Sequence, residues 1–406
     1  MFDQVPSWIC CQLGAREHYA IPRALQQYGK LAYLITDAWV LPKSPLNLLP
    51  RHVLANLRDR FHPDLAQASV HAFTHSLMRL ELAQRLQNTL GWTSIIARNR
   101  WFQQQAVELL ETITPKLNTC PILFAYSYAA LELFRYAKSQ GWYTILGQID
   151  PGLVEETLVR QEHIRYPDYQ STWQPAPPQY WMNWLEECGL ADRIIVNSPW
   201  SSQALQQVGI PVNKMNIIPL AYNPPETASN FERIYPSTFS AERPLRVLFL
   251  GQVILRKGVA ALLEAAKLLQ DQPIEFWLVG SQGIPGYPLN KGRIRWVDAV
   301  PRSATAKYYR LADVFLFPTL SDGFGLTQLE AQAWQLPVIA SKFCGKVVTD
   351  GENGLLLPEV TPEEIANALN FCLNNPQKLT SFAQQLKHNN IISLSQLQDF
   401  LNKTLD

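Results

Sequence analysis

The sequence predicts an α/β chain made of two tandem doubly wound domains that face each other across a cleft. The order strand, glycine turn, helix, strand opens the chain at residues 8–35 and begins again at 245–279. The strand candidates are short apolar runs without polar alternation, as expected of parallel strands buried on both faces. At 406 residues the chain is also long for a single core, so two domains of about 200 residues are expected.

Composition narrows the function classes. The net charge is +1 and charged residues make up 17%, below the usual ~25%, which argues against a nucleic-acid binder working through bulk charge. The six cysteines (Cys10, Cys11, Cys120, Cys188, Cys344, Cys372) are scattered without a C-x-x-C pair or a metal-ligand spacing, so neither a zinc site nor a disulfide framework is expected. The opening residues MFDQVPSWICCQLGA lack a basic segment followed by a long apolar run, and no stretch reaches 18 apolar residues. The expectation is a reduced, cytoplasmic protein.

In chain order, 8–13 is a strand, Gly14 a turn, 15–28 a helix and 31–35 a strand. No G-x-G-x-x-G is present, so the dinucleotide fingerprint is absent. Residues 43–100 read as mainly helical, with a scatter of Arg51, His52, Arg58, Arg60 and His62. Two readings stay open for this stretch: an ordinary solvated helical face, or a peripheral contact with an anionic membrane surface. His71 and His75 are four apart on an expected helix, without a third ligand. Residues 121–126 and 142–146 are strands around a helix at 129–140, and Gln148-Ile149-Asp150-Pro151 is a polar exit from the second. Residues 155–187 are helical by turns; 191–196 and 216–220 are strands, with Ser198 placed to cap a helix over 201–208. The domains are 1–223 and 245–390, joined by a Pro-rich polar linker at 224–244. The remainder, 391–406, is assigned to a C-terminal helix packing back on the first domain.

In the second half, strands are expected at 245–250, 274–279, 294–297, 314–317, 337–340 and 355–357. Between 317 and 341 the chain runs FPTLSDGFGLTQLEAQAWQLPVIAS: strand end, glycine turn, helix, strand. Such a unit puts backbone N–H groups and a helix N-terminus at the carboxyl end of a parallel sheet, where open α/β sheets bind anionic ligands. Asp322 precedes that helix and Glu330 lies in it. Arg256 and Lys257, between Gly251 and Gly258, sit at the start of another helix, a suitable place for cations that neutralise a departing diphosphate.

GQVILRKG at 251–258, ADVFLFPTLSDGFGLTQLEAQAWQLPVIAS at 312–341 and VVTDGENGLLLP at 347–358 resemble the donor half of family-4 retaining glycosyltransferases, also described as glycosyl transferases group 1. LGAREHYAIPRALQQYG at 13–29, ADRIIVNSPWSSQAL at 191–205 and GIPVNKMNIIPL at 209–220 resemble its acceptor half. The resemblance implies the GT-B fold, two tandem Rossmann-like domains facing across a cleft, and transfer of a sugar from a nucleotide-diphosphate sugar to a saccharide or lipid-linked acceptor. No cofactor beyond that donor and no metal are implied, and the sequence has no Asp-x-Asp triplet.

The resemblance also assigns roles. Glu330 binds the donor ribose, Gly14 and Gly251 approach the diphosphate, and Arg256 and Lys257 carry its charge. Gly323, Phe324, Gly325 and Leu326 offer backbone amides to the sugar or phosphate, and Gly280 lines the base pocket opposite Arg302. The catalytic candidates are Asp322, Arg256, Lys257 and Asp150. Three positions depart from the family pattern: Gln252 replaces an arginine, Asp322 a glutamate, and Tyr126-Ser127 stand where many relatives have a histidine. Asp150 and His18 are the alternatives for the missing group. The competing readings are a degenerate GT-B binding module and a sugar-nucleotide epimerase.

Overall fold

A computed structural model describes residues 7–48, 57, 60–169, 172–285, 287–290, 292–387 and 391–405. Of the basic scatter, Arg51, His52 and Arg58 lie outside these residues. The first sheet has seven parallel strands in the order β3-β2-β1-β4-β5-β6-β7. They are β1 (Trp8–Gln12), β2 (Leu31–Thr36), β3 (Val70–Ala72), β4 (Ile122–Tyr126), β5 (Tyr143–Gln148), β6 (Arg193–Val196) and β7 (Met215–Ile217). The helices of this half are α1 (Ala20–Gln27), α2 (Thr74–Leu86), α3 (Gly91–Ile113), α4 (Leu131–Ser139), α5 (Leu153–Arg165), α6 (Pro178–Leu190) and α7 (Pro199–Gln207). Alternate strand residues feed separate cores: Ile9, Cys11, Leu123 and Ala125 on one face, Trp8, Cys10, Ile122 and Phe124 on the other. Burial on both faces is why these strands read as continuous apolar runs.

The second sheet has six parallel strands in the order β10-β9-β8-β11-β12-β13. These are β8 (Leu245–Leu250), β9 (Ile274–Val279), β10 (Ile294–Val297), β11 (Val314–Phe317), β12 (Val338–Ser341) and β13 (Gly354–Leu357). After a short α8 (Glu226–Ser229) come α9 (Val259–Leu268), α10 (Ala306–Leu311), α11 (Leu326–Ala333), α12 (Pro362–Asn374), α13 (Pro376–Leu386) and α14 (Leu394–Lys403). Gly258, at φ 71°, ends the 251–258 loop, and a Cβ there would meet the Pro318 carbonyl oxygen at 1.8 Å. Only glycine lets this loop press against the exit of β11.

Two expectations need correction. Residues 70–72 form the edge strand β3, so His71 and His75 do not share a helix: His71 is in β3 and His75 in α2. Three residues hydrogen-bonded to β2 suffice for a strand there, too short a run to show periodicity. The strand expected at 216–220 ends at Ile217, and the chain then crosses to the other half. The polar stretch 224–244, expected as the linker, packs on the second half. Arg233 is buried, and its guanidinium donates to the carbonyls of Tyr309, Ala312, Trp334 and Gln335 at the ends of α10 and α11. Tyr235 OH donates to the Asp313 carbonyl at 2.9 Å. Polar composition hid the two anchors, Arg233 and Tyr235, that tie this segment to the second half.

The halves touch at several points. Tyr169, just after α5, inserts into the core of the second half, with its ring stacked 5.2 Å from Tyr287. In return α14 lays Leu397 and Leu401 into the core beside α1, and Lys30 Nζ donates to Asn402 Oδ1 at 2.7 Å. A capping box at Ser393 and Gln396 starts α14.

Candidate active site

The carboxyl ends of both sheets converge on a cavity of about 310 Å³. From the first half, Arg16 and Glu17 after β1, Ile149 after β5 and Asn197 after β6 line it. From the second come Gly251 after β8, Lys257 before α9, and Asp322, Phe324, Gly325 and Leu326 between β11 and α11. The β1 exit is wound unusually: Glu17, His18 and Tyr19 have φ of 51°, 53° and 59°. Each left-handed non-glycine residue costs roughly 1–2 kcal/mol. Side chains hold the turn: Gln12 Nε2 donates to the carbonyls of Gly14 and Arg16 (2.9 and 3.0 Å), and Asn197 Nδ2 to Glu17 Oε1 (3.4 Å). The result aims Arg16 and Glu17 into the cavity. Burial raises the Glu17 carboxyl to about 6, although bonds from Tyr126 and Asn197 pull the other way.

Lys257 lines the cavity, and Arg256 stands beside it in the wall, sharing Asp322. Lys257 Nζ pairs with Asp322 Oδ2 and lies 5.0 Å from the Phe317 ring centroid. Arg256 Nη1 is 3.1 Å from the Ser321 carbonyl, 3.4 Å from Glu155 Oε1 and 3.8 Å from Asp322 Oδ2. Burial pushes the Asp322 carboxyl up, but Lys257 and Arg256 together outweigh it, and the net lies below the usual carboxylate range. Asp322 is therefore an ionised partner of both cations.

Glu330 lies one helical turn beyond Leu326 in α11. Its Oε2 accepts from Tyr309 OH at 2.8 Å, and its Oε1 is 3.6 Å from Arg302 Nη2. Burial raises its pKa, with Tyr309 and Arg302 opposing. Arg302 also reaches His18 Nδ1 in the other half at 2.6 Å. Burial, then Arg302 and Arg23, lower His18 to about 4, so its ring is neutral and accepts that bond. Arg302 and His18 line a second cavity of about 260 Å³, and Glu17 lines both.

Other expected site residues play quieter parts. Gly14 donates its N–H to Asp37 Oδ1 at 3.0 Å, and a Cβ on it would press on the Arg60 guanidinium. Gly280 packs the β9 exit onto the β8 exit: a Cβ would meet the Gly251 carbonyl oxygen at 1.9 Å. Gly280 does not line the main cavity. Asp150 stands behind Gly323, and its Oδ1 accepts from Tyr128 OH, from Gln148 Nε2 at 3.2 Å and from the Gly152 N–H at 2.9 Å. Burial raises its pKa. It is built into the wall and does not line the cavity. Sequence reading missed Arg16, Glu17 and Glu155; the one signal for Glu155 was a carboxylate in the first turn of a helix that follows a strand exit.

Residues 244–375 match the family model of glycosyl transferases group 1. The D-inositol 3-phosphate glycosyltransferase of Thermobifida fusca (strain YX) is 27% identical over 215 residues, 46% of this chain and 48% of that protein. The chain spans less than half the length of the curated relatives it matches. Among solved structures, Anabaena HepE in complex with UDP and glucose aligns with a TM-score of 0.61 at 16% identity, over 98% of this chain and 99% of that one. The catalytic domain of Arabidopsis thaliana starch synthase IV, bound to ADP and acarbose, aligns at 0.64 and 13% identity, over 98% and 99%. The fold is GT-B, two Rossmann-like domains with the carboxyl ends of their sheets opposed.

Proposed function

We propose that this protein is a retaining glycosyltransferase that moves a hexosyl group from a nucleotide-diphosphate sugar to a saccharide or lipid-linked acceptor. One observation supports the reading above the others: Lys257 and the N-terminus of α11 face the same interdomain cavity, with Arg256 beside Lys257 on their shared partner Asp322, a place suited to a diphosphate. As the bond from the anomeric carbon to the phosphate oxygen breaks, its electron pair goes to that oxygen. Arg256, Lys257 and the amides of 323–326 stabilise the growing charge. The acceptor hydroxyl forms the new bond to the anomeric carbon on the face the diphosphate leaves, and its proton passes to the departing phosphate oxygen. No protein nucleophile and no metal ion enter this scheme. Glu330 takes the ribose hydroxyls, exchanging the Tyr309 contact for them. That relatives in this fold bind UDP or ADP supports a nucleotide-sugar donor.

Support for a saccharide acceptor comes from a cavity of about 520 Å³ between α3, α4 and α6. Tyr128 and Tyr180 stack there at 4.9 Å beside Asn99, Gln103 and Asn183, a mix of ring faces and amides suited to sugars. Tyr128 also joins this cavity to the cleft wall through Asp150. A lipid-linked acceptor draws support from Leu82, Leu86 and Leu90, exposed beside Arg79 and Arg85 at the α2–α3 turn. Among the described residues no helix is long and apolar enough to cross a membrane, so the contact is proposed as peripheral, at a cytoplasmic face.

The test is turnover. The protein is incubated with radiolabelled UDP- and ADP-sugars, and release of nucleoside diphosphate is followed with and without saccharide acceptors. A donor that turns over with Glu330→Ala strongly impaired is expected. Absence of turnover with every donor, or a Glu330→Ala variant that behaves as wild type, contradicts the reading.

A further inference from the structure

Glu155 lies in the first turn of α5, and the transfer scheme above does not use it. It reaches across the boundary between the halves to Arg256, with Oε1 3.4 Å from Nη1. Its Oε2 is buried and, among the described residues, has no hydrogen-bond partner. The charged groups facing it are Arg256 and Lys257 from the turn before α9, Asp322 from the loop after β11, and Asp150 from the exit of β5. The helix α7, which packs on α5, carries no charged side chain.

A diphosphate reaching Arg256 brings negative charge to a guanidinium that already has two carboxylate neighbours. Those neighbours are not equivalent. Asp322 is held ionised by its contact with Lys257. Glu155 has one contact at 3.4 Å and a second oxygen with nothing on it. When like charges crowd a site, the carboxylate with the weaker partner is the one that protonates.

We propose that Glu155 is a positioning residue that holds Arg256 until a donor binds, then takes up one proton and releases the guanidinium to the diphosphate. The proton comes from solvent and adds to a carboxylate oxygen; no other bond changes. Burial pushes the Glu155 carboxyl up to about 8, with Arg256 opposing and Asp150 and Asp322 adding to the rise. The carboxylate that holds Arg256, and the proton uptake that releases it, therefore belong to pH above about 8, while near pH 7 the group is already largely protonated. The inference rests on the donor reading of the cleft.

Calorimetric titration with UDP and with ADP between pH 7 and 9.5 tests it, since a terminal phosphate (pKa near 6) is already largely ionised there. For wild type, affinity should fall with rising pH, approaching about tenfold per pH unit above Glu155's pKa. Buffers of different ionisation heat should report uptake of up to one proton. Glu155→Gln should bind with little pH dependence and no proton uptake, at the affinity wild type shows near pH 7. Glu155→Asp, which keeps an acid there, should retain a slope. A Glu155→Gln variant that keeps the wild-type slope and uptake overturns the proposal, as does a folded one that loses binding at every pH. Wild-type binding without proton uptake sinks this inference alone. Wild type that binds neither nucleotide sinks the donor reading and this inference with it.

Discussion

Gly323 meets Ile149 backbone to backbone across the two halves: a Cβ on Gly323 would stand 2.1 Å from the Ile149 carbonyl oxygen. The contact is braced by Ser201 Oγ, which donates to the Gly323 carbonyl at 3.3 Å, and by Trp200 Nε1, which donates to Ser321 Oγ at 3.1 Å. The loop that carries Asp322 is thereby pressed onto the wall that carries Asp150. The two halves fit because residue 323 has no side chain.

Gly323→Ala should therefore wedge this contact open. Neither neighbour atom is the end of a flexible side chain, so the shift falls on the loop that positions Asp322 and Lys257. Displacement by about 1 Å can cost on the order of 10²-fold in rate. The expected outcome is a fall of at least about tenfold in kcat/KM for the donor, with a small change in Tm, since each half keeps its own core. A variant with unchanged kinetics would show that the contact does not position the site.

The Lys257–Asp322 pair predicts a pH effect on stability. The carboxyl of Asp322 lies below its ordinary value in the folded protein, so its contribution is present above the unfolded pKa of about 3.9 and is lost as pH falls through the lower folded value. Lys257→Met leaves a largely buried carboxylate with Arg256 at 3.8 Å as its remaining cation. The variant should be about 1–3 kcal/mol less stable than wild type at pH 7 by urea denaturation. The difference should shrink as pH falls through the lowered folded value of Asp322, beneath which the carboxyl is neutral in both proteins. A difference that does not change with pH would contradict the pairing.

Arg233 gives a prediction remote from the cleft. It satisfies carbonyls at the ends of α10 and α11, groups that a helix leaves unpaired. Arg233→Met keeps much of the buried volume but strands these acceptors, each costing roughly 1–3 kcal/mol. Thermal unfolding should show a clear drop in Tm for the transition of the second half. An unchanged Tm would mean that the 224–244 stretch is an ornament on that half.

Much of this fold is legible in the sequence because parallel strands buried on both faces announce themselves as apolar runs such as VFLF at 314–317. β3 is not, since three residues at a sheet edge carry no period. At the site, Glu330, Arg256 and Lys257 are readable because glycine turns and helix starts flank them within a few residues. Glu155, Arg16 and the His18–Arg302 contact are not. They meet only when two chain segments far apart in sequence close on each other, and no local spacing encodes that closure. Asp150 was visible as a strand-exit carboxylate, but the three donors that fold its Oδ1 into the wall become visible only in three dimensions.

Whether the Arg256–Lys257 pair beside the interdomain cavity carries the charge of a departing diphosphate is decided by the steady-state kinetics of Arg256→Ala on the donor that wild type turns over. Removing a fixed donor of positive charge from a transition state lowers kcat by about 10²–10³-fold. A fall of that size is expected, with the anomeric configuration of the remaining product retained as read by NMR. A kcat equal to wild type, or a product of inverted configuration from either protein, would contradict it.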